Sequence, residues 1–334
     1  MSPSLSSPRG PVDMHVHIVG NGLSGSGCRL HLPGAHRFLA DFMQRQLGLP
    51  LSWRDPAFDE TYVDLLHRWL QNSSLSHAVI LAHEEVYRQD GQKLPFGSMF
   101  VPNHYVLRLA QQFPQFLPGV SIHPARPDAL DELDRCLDQG AVLLKLLPNC
   151  QNVDCSLPAY RPFWNRLAAA KLPLLAHTGG EHTVPQFQPA YANPASLQLP
   201  LDCGVTVIAA HCATKSGLRD PNYLPSLLRL MDRYPNLYGD LSALNLPLRS
   251  AAFPTLLRHP HHHRLVHGSD FPVPIQSRWA RWRGLLSPNH CRFLQGEPNP
   301  LQRDFLIKST LGFPPEVFTR IWSLLRLPSP SPAH

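Results

Sequence analysis

Val12-Asp13-Met14-His15-Val16-His17 reads as a short strand that closes in two histidines. Residues two apart on a strand point to one face, so His15 and His17 can face a common point. The same form recurs along the chain. Short apolar runs at 12–17, 77–82, 116–123, 141–147, 172–177, 205–211, 237–241 and 264–270 give eight candidate strands. Longer amphipathic stretches at 60–71, 102–113, 128–139, 160–171 and 223–234 lie between them, which is the pattern of βα units around a parallel sheet. Runs such as Ala141-Val142-Leu143-Leu144 are apolar on both faces, as strands buried between a sheet interior and outer helices must be. A doubly wound open sheet would give similar runs. The count of eight, with polar residues gathered at the strand ends, favours closure into a (β/α)8 TIM barrel of the α/β class.

The 334 residues fit one such domain over 12–326, between Pro/Ser-rich tails at 1–11 and 327–334 that are expected to be flexible. Two segments break the βα rhythm: 19–54 after strand 1 and 179–194 after strand 5. Both leave the carboxyl ends of strands, where barrel enzymes build their sites, so they are read as lid or pocket wall. No run of ~18 apolar residues occurs, and no membrane association is expected. The opening residues lack the apolar core of a secretory signal. The seven cysteines, odd in number, fit neither a disulfide framework nor a Cys-x-x-Cys metal ribbon; a reducing, cytoplasmic location follows as the expectation. The net charge of +6 comes from scattered arginines without a basic tract. Nucleic acid is therefore disfavoured as a partner, and a small anionic substrate would suit the charge equally well. The run His259-Pro260-His261-His262-His263 is read as a solvated loop.

The chemistry lies at the strand ends. His15 and His17 end strand 1, Lys145 lies on strand 4, His177 ends strand 5, His211 ends strand 6 and Asp270 ends strand 8. The ends of a closed barrel converge, which brings these side chains toward one centre. Imidazole nitrogen with carboxylate oxygen suits Zn²⁺, Fe²⁺ or Mn²⁺, with zinc the commonest at a site that keeps an open position. No Gly-x-Ser-x-Gly elbow and no phosphate-cradling glycine loop offers a competing mechanism.

Six motifs in order resemble the amidohydrolase superfamily, in its amidohydrolase-related branch of metal-dependent hydrolases and nonoxidative decarboxylases. They are His15-Val16-His17, Gly119-Val120-Ser121-Ile122-His123-Pro124, Lys145, Leu175-Ala176-His177-Thr178-Gly179-Gly180, Ala210-His211-Cys212 and His267-Gly268-Ser269-Asp270-Phe271-Pro272. The resemblance spans residues 12–325. It implies that His15, His17, His177 and Asp270 hold a divalent metal. It also implies that His211 binds a second ion or the substrate, and that Asp270 takes the proton of a metal-activated water. Lys145 is either carboxylated and bridging two ions, or a cationic amine that binds an acidic substrate group, or a lysine that snorkels to solvent. The sequence Lys145-Leu146-Leu147-Pro148 resembles that of members in which one metal suffices.

Asn149, Gln151, Glu181, His182 and Asn245, on loops after strands 4, 5 and 7, are candidates for binding substrate. The expected reaction is hydrolysis of the C–N or C–O bond of an amide, lactone or ester of a small molecule. Nonoxidative decarboxylation of an aromatic or unsaturated acid is the alternative. A deoxyribonuclease-type barrel is disfavoured, because Lys145 stands where those proteins carry a strand-4 glutamate. A non-catalytic metal-binding protein is the remaining rival, and homo-oligomerisation is left open.

Overall fold

Each of the eight apolar runs forms a strand in the computed structural model, which describes residues 9–32, 34–47 and 51–327. The strands are β1 (Val12–His17), β2 (His77–Leu81), β3 (Phe116–Val120), β4 (Leu143–Leu146), β5 (Leu174–Ala176), β6 (Val207–Ala209), β7 (Leu237–Asp240) and β8 (Leu265–Val266). Each pairs in parallel with its successor in the chain. Past β8 the backbone returns to β1. Met14 N donates to His267 O at 3.1 Å, Asp270 N to His15 O at 2.9 Å and His17 N to Phe271 O at 2.8 Å, closing the ring. The eight-stranded TIM barrel read from the sequence is therefore present. The expected tails fall almost wholly outside the described residues.

The amphipathic stretches form the outer helices. We name α1 (Ala35–Leu47), α2 (Phe58–Gln71), α3 (Asn103–Gln112), α4 (Ala129–Asp138), α5 (Arg161–Ala169) and α6 (Leu224–Arg233). Side chains alternate along the strands as the period of two requires. Leu143, Leu175 and Ile208 join an inner cluster, whereas Leu144, Leu174 and Val207 pack outward against the helices. The C-terminal segment at Glu316–Thr319 turns into a 3-10 helix at Arg320–Ser323. Its Ile321 and the following Leu325 join the same inner cluster and plug the barrel floor.

Strand β1 departs from simple alternation. Val12 and Met14 belong to the inner cluster, but Val16 and Ile18 pack outward. The register with β2 shifts between Asp13 and Val16, and this irregularity lets His15 and His17 both face inward above Met14.

The segment at 19–54 is more ordered than a loop. Arg29–Leu30 pairs antiparallel with Met99–Phe100, and α1 follows. The histidine run lies in an exposed 3-10 turn, Pro260–Arg264, where His261 Nε2 sits 2.7 Å from Asp232 Oδ1. All seven cysteines are free. Among the described residues no helix is long and apolar enough to cross a membrane.

Candidate metal centre and cavity

His15 and His17 reach the barrel mouth with their Nε2 atoms 3.2 Å apart. Asp270 Oδ1 lies 3.1 Å from His15 Nε2 and 3.3 Å from His17 Nε2. His15, His211 and Asp270 offer ligand atoms that all lie within 4.8 Å of one another. His177 joins through its Nδ1, 3.2 Å from His211 Nε2. Lys145 enters from below, with Nζ 3.0 Å from His15 Nε2. The residues read from the strand ends therefore meet at one point.

A carboxylate that the sequence reading did not select holds this group in place. Asp240, ending β7 and fully buried, sits 2.7 Å from His15 Nδ1 with one oxygen. Its other oxygen accepts from His211 N at 2.6 Å, Ser242 N at 3.1 Å and Ser242 Oγ at 2.5 Å. These partners assign the tautomers. His15 donates from Nδ1 to Asp240, which leaves a lone pair on Nε2. Ser242 Oγ gives its proton to Asp240, so it accepts from His211 Nδ1 at 2.7 Å. His211 Nε2 then accepts from His177 Nδ1, and the buried His177 Nε2 has no partner among the described residues. An acidic residue at the carboxyl end of a strand, as in Leu237-Tyr238-Gly239-Asp240, was the signal that would have found Asp240.

Electrostatics keeps these imidazoles neutral. Burial, and then the nearby Lys145 charge, holds His15 well below the usual histidine range. Burial, and then Arg249, does the same to His211. For His177 burial outweighs the opposing pull of Glu181 and lowers it too. Burial depresses Lys145 to about 8 against the carboxylates around it. A lone pair on His15 Nε2 thus confronts a carboxylate oxygen at 3.1 Å, and a second lone pair on His177 is unpaired. Lys145 Nζ, 3.0 Å from His15 Nε2, relieves part of the repulsion between these two acceptors, and the buried His177 Nε2 still has neither a donor nor a cation among the described residues. The donor set of neutral imidazoles and carboxylate fits Zn²⁺ or a related divalent ion. The backbone is strained here as well. His211, Cys212 and Ala213 take positive φ of 57°, 47° and 54°, and Asp270 takes 66°. Non-glycine residues in this region cost roughly 1 kcal/mol or more each and cluster at functional sites.

A cavity of about 990 Å³, counting the part open to solvent, rises from His17, His177, His211 and Asp270. The segment at 19–54 and the loop at 179–194 both supply wall residues, among them Trp53 and Val184. A third wall comes from Ser98 and Met99 after β2, where the sequence offered His83, Glu84 and Glu85 as pocket residues and these are not among the lining.

Of the candidates for binding substrate, Glu181 lines this cavity. Its Oε1 accepts from Val184 N at 3.2 Å and from Thr183, and its Oε2 lies 3.6 Å from His177 Nδ1. The structure places the other four away from the lining. Gln151 spends its amide on Leu147 N and the Glu84 carbonyl. His182 is exposed and pairs with Asp220 at 2.9 Å. Asn245 donates to Asp304 at 2.5 Å, and the buried Asn149 donates to Gln186 at 3.2 Å. Each is used by the scaffold, because loop position alone does not reveal which way a side chain turns. Arg249, also not singled out, ties the site loops together. It donates to Thr214 O at 2.9 Å and Gly180 O at 2.5 Å.

Comparison with known proteins agrees with this fold. The amidohydrolase family model matches residues 12–287. Among solved structures, an uncharacterized TIM-barrel protein from Bordetella bronchiseptica is similar at a TM-score of 0.55 and 16% identity, over 89% of this chain and 99% of that one. A protein described as a probable 2-pyrone-4,6-dicarboxylic acid hydrolase from Acinetobacter baumannii, with citric acid bound, gives a TM-score of 0.54 and 15% identity, over 90% and 92%. Likeness at such identity speaks to the fold. No curated protein matches by sequence.

Proposed function

The chain belongs to the amidohydrolase family, and from that premise we propose that it is a metal-dependent hydrolase that adds water across the C–O or C–N bond of an ester, lactone or amide. The observation that carries this reading is the meeting of Asp270 with the ring nitrogens of His15, His17, His177 and His211 at the floor of an open cavity. His15, His17, His177 and Asp270 would hold one divalent ion, Zn²⁺ by the donor set. When bound, that ion supplies the positive centre that acidifies water and polarises a carbonyl.

The chain's own residues then divide the work. Asp270 accepts the proton of the attacking water and passes it to the departing oxygen or nitrogen as the C–O or C–N bond breaks, leaving a carboxylic acid and an alcohol or amine. His211, with Nδ1 4.0 Å from Asp270 Oδ2, gives its N–H to Ser242 Oγ and accepts from His177 Nδ1, which fixes the His177 ring beside the site. Lys145 stays an amine and steadies His15. Apolar walls keep bulk water away from the reacting carbon.

The test is a panel of esters, lactones, amides and carboxylic acids offered to metal-loaded protein in ¹⁸O water. Label in the product acid supports the proposal. Carbon dioxide released with no labelled carboxylic acid formed would replace it with decarboxylation. Turnover undiminished by a chelator would remove the metal from the reading. One metal equivalent per chain is expected; two at the barrel mouth would point to a carboxylated Lys145.

A further inference from the structure

Above the ligand cluster the cavity turns apolar. Leu30, Leu32, Met43 and Trp53 from the segment after β1, with Met99 and Val273 opposite, form most of its upper wall. Among the described lining residues the charged side chains are Glu181 and Asp270, both acidic; no lysine or arginine faces the space. Lys145 and Arg249 lie beneath and behind it, engaged with His15 and with the Thr214 and Gly180 carbonyls. The chain's excess of positive charge is thus not directed at its cavity. Neutral polar side chains interrupt this wall at Gln44, whose Oε1 accepts from Trp53 N at 3.0 Å, at Thr183 and at Ser98, a buried residue whose Oγ has no partner among the described residues.

We propose that this cavity takes an uncharged, lipophilic carbonyl compound, an ester, lactone or amide whose arm is aliphatic or aromatic and carries no carboxylate. The proposal deepens the hydrolase reading above and rests on it for the reaction. An apolar arm packed between Met43, Trp53 and Met99 leaves water, and each methylene buried there raises affinity about fourfold. A carboxylate in the same place would lose its hydration, with no lysine or arginine among the described lining residues to replace it. The small anionic substrate that the net charge suggests is disfavoured for this reason.

Two matched measurements on the metal-loaded protein test this. In the first, kcat/KM is compared for 4-nitrophenyl acetate, butyrate and hexanoate and for the 4-nitrophenyl monoester of adipic acid. The expected result is a rise along the first three and at least about a tenfold fall for the acid-tipped arm. In the second, tryptophan fluorescence follows binding of hexanophenone and of 5-benzoylpentanoate, which differ by a methyl against a carboxylate. Hexanophenone should bind about tenfold tighter or better. Trp53→Phe should remove the signal, and Met43→Arg, on the cavity side of α1, should narrow or invert the preference. Equal or tighter binding of 5-benzoylpentanoate to the unaltered protein overturns the proposal while leaving hydrolysis standing. Preference for hexanophenone without turnover of any ester keeps the cavity assignment and removes the hydrolase reading instead.

Discussion

Asp270 is placed for two tasks because its oxygens face different ways: Oδ1 toward His15 and His17, Oδ2 toward His211. Asp270→Asn keeps the shape but cannot accept a proton, so kcat should fall by about 10²–10⁴ while the far-ultraviolet circular dichroism is unchanged. Retention of more than a tenth of the activity would show that another base serves. Asp240 acts at one remove. By accepting from His15 Nδ1 it turns the Nε2 lone pair toward the centre, and Asp240→Asn keeps an acceptor for the His211 amide while weakening the hold on His15. Metal affinity, read by competition with a chelating dye, should drop about 10–100-fold; an unchanged affinity would mean that packing alone orients the ring. At this scale the sequence was informative wherever a strand end carried a histidine or aspartate, since convergence at a barrel mouth follows from topology. It was uninformative for Gln151, His182 and Asn245, whose partners are set by loop paths with no periodicity to read.

The eight strands and five outer helices were legible as elements because apolar periodicity survives averaging over several residues. Helix α1 was not. Its sequence is amphipathic, but it lies beyond Gly22, Gly25, Gly27 and Gly34, all at positive φ, and their turn chemistry dominates the composition of the segment. The irregularity in β1 was equally hidden, being a backbone slip of one residue without a glycine or proline to mark it. The loop after β5 shows how tightly such connections hold the site. Gly179 has φ +80°, and a Cβ there would overlap the Thr214 carbonyl oxygen. Backbone that Arg249 also clasps, through Thr214 and Gly180, has little room to yield. Gly179→Ala should therefore cost about 2 kcal/mol or more in chemical denaturation and displace His177. A variant as stable as the parent would mean that this loop adapts freely.

For the molecule as a whole, closure of the barrel and assembly of the metal centre are separate transactions. The inner and outer apolar clusters hold the strands and helices, and the ring closes between β8 and β1 through backbone bonds such as Asp270 N to His15 O, neither of which needs a ligand side chain. The barrel should consequently remain folded when its metal is stripped by a chelator, with its helical signal intact. Binding must nevertheless add stability, because the ion engages a site that exists in the folded chain alone. At free metal of about a hundred times its dissociation constant the gain is about 2.7 kcal/mol. With an unfolding entropy of about 2.1 cal/mol/K per residue, that corresponds to a melting midpoint roughly 4 °C higher for a chain of this length. Calorimetry of chelated and reloaded protein should find this difference, and His15→Ala should erase it. A midpoint indifferent to metal in the parent would mean that the facing lone pairs of His15 and Asp270 are reconciled by Lys145 and protons rather than by a bound cation.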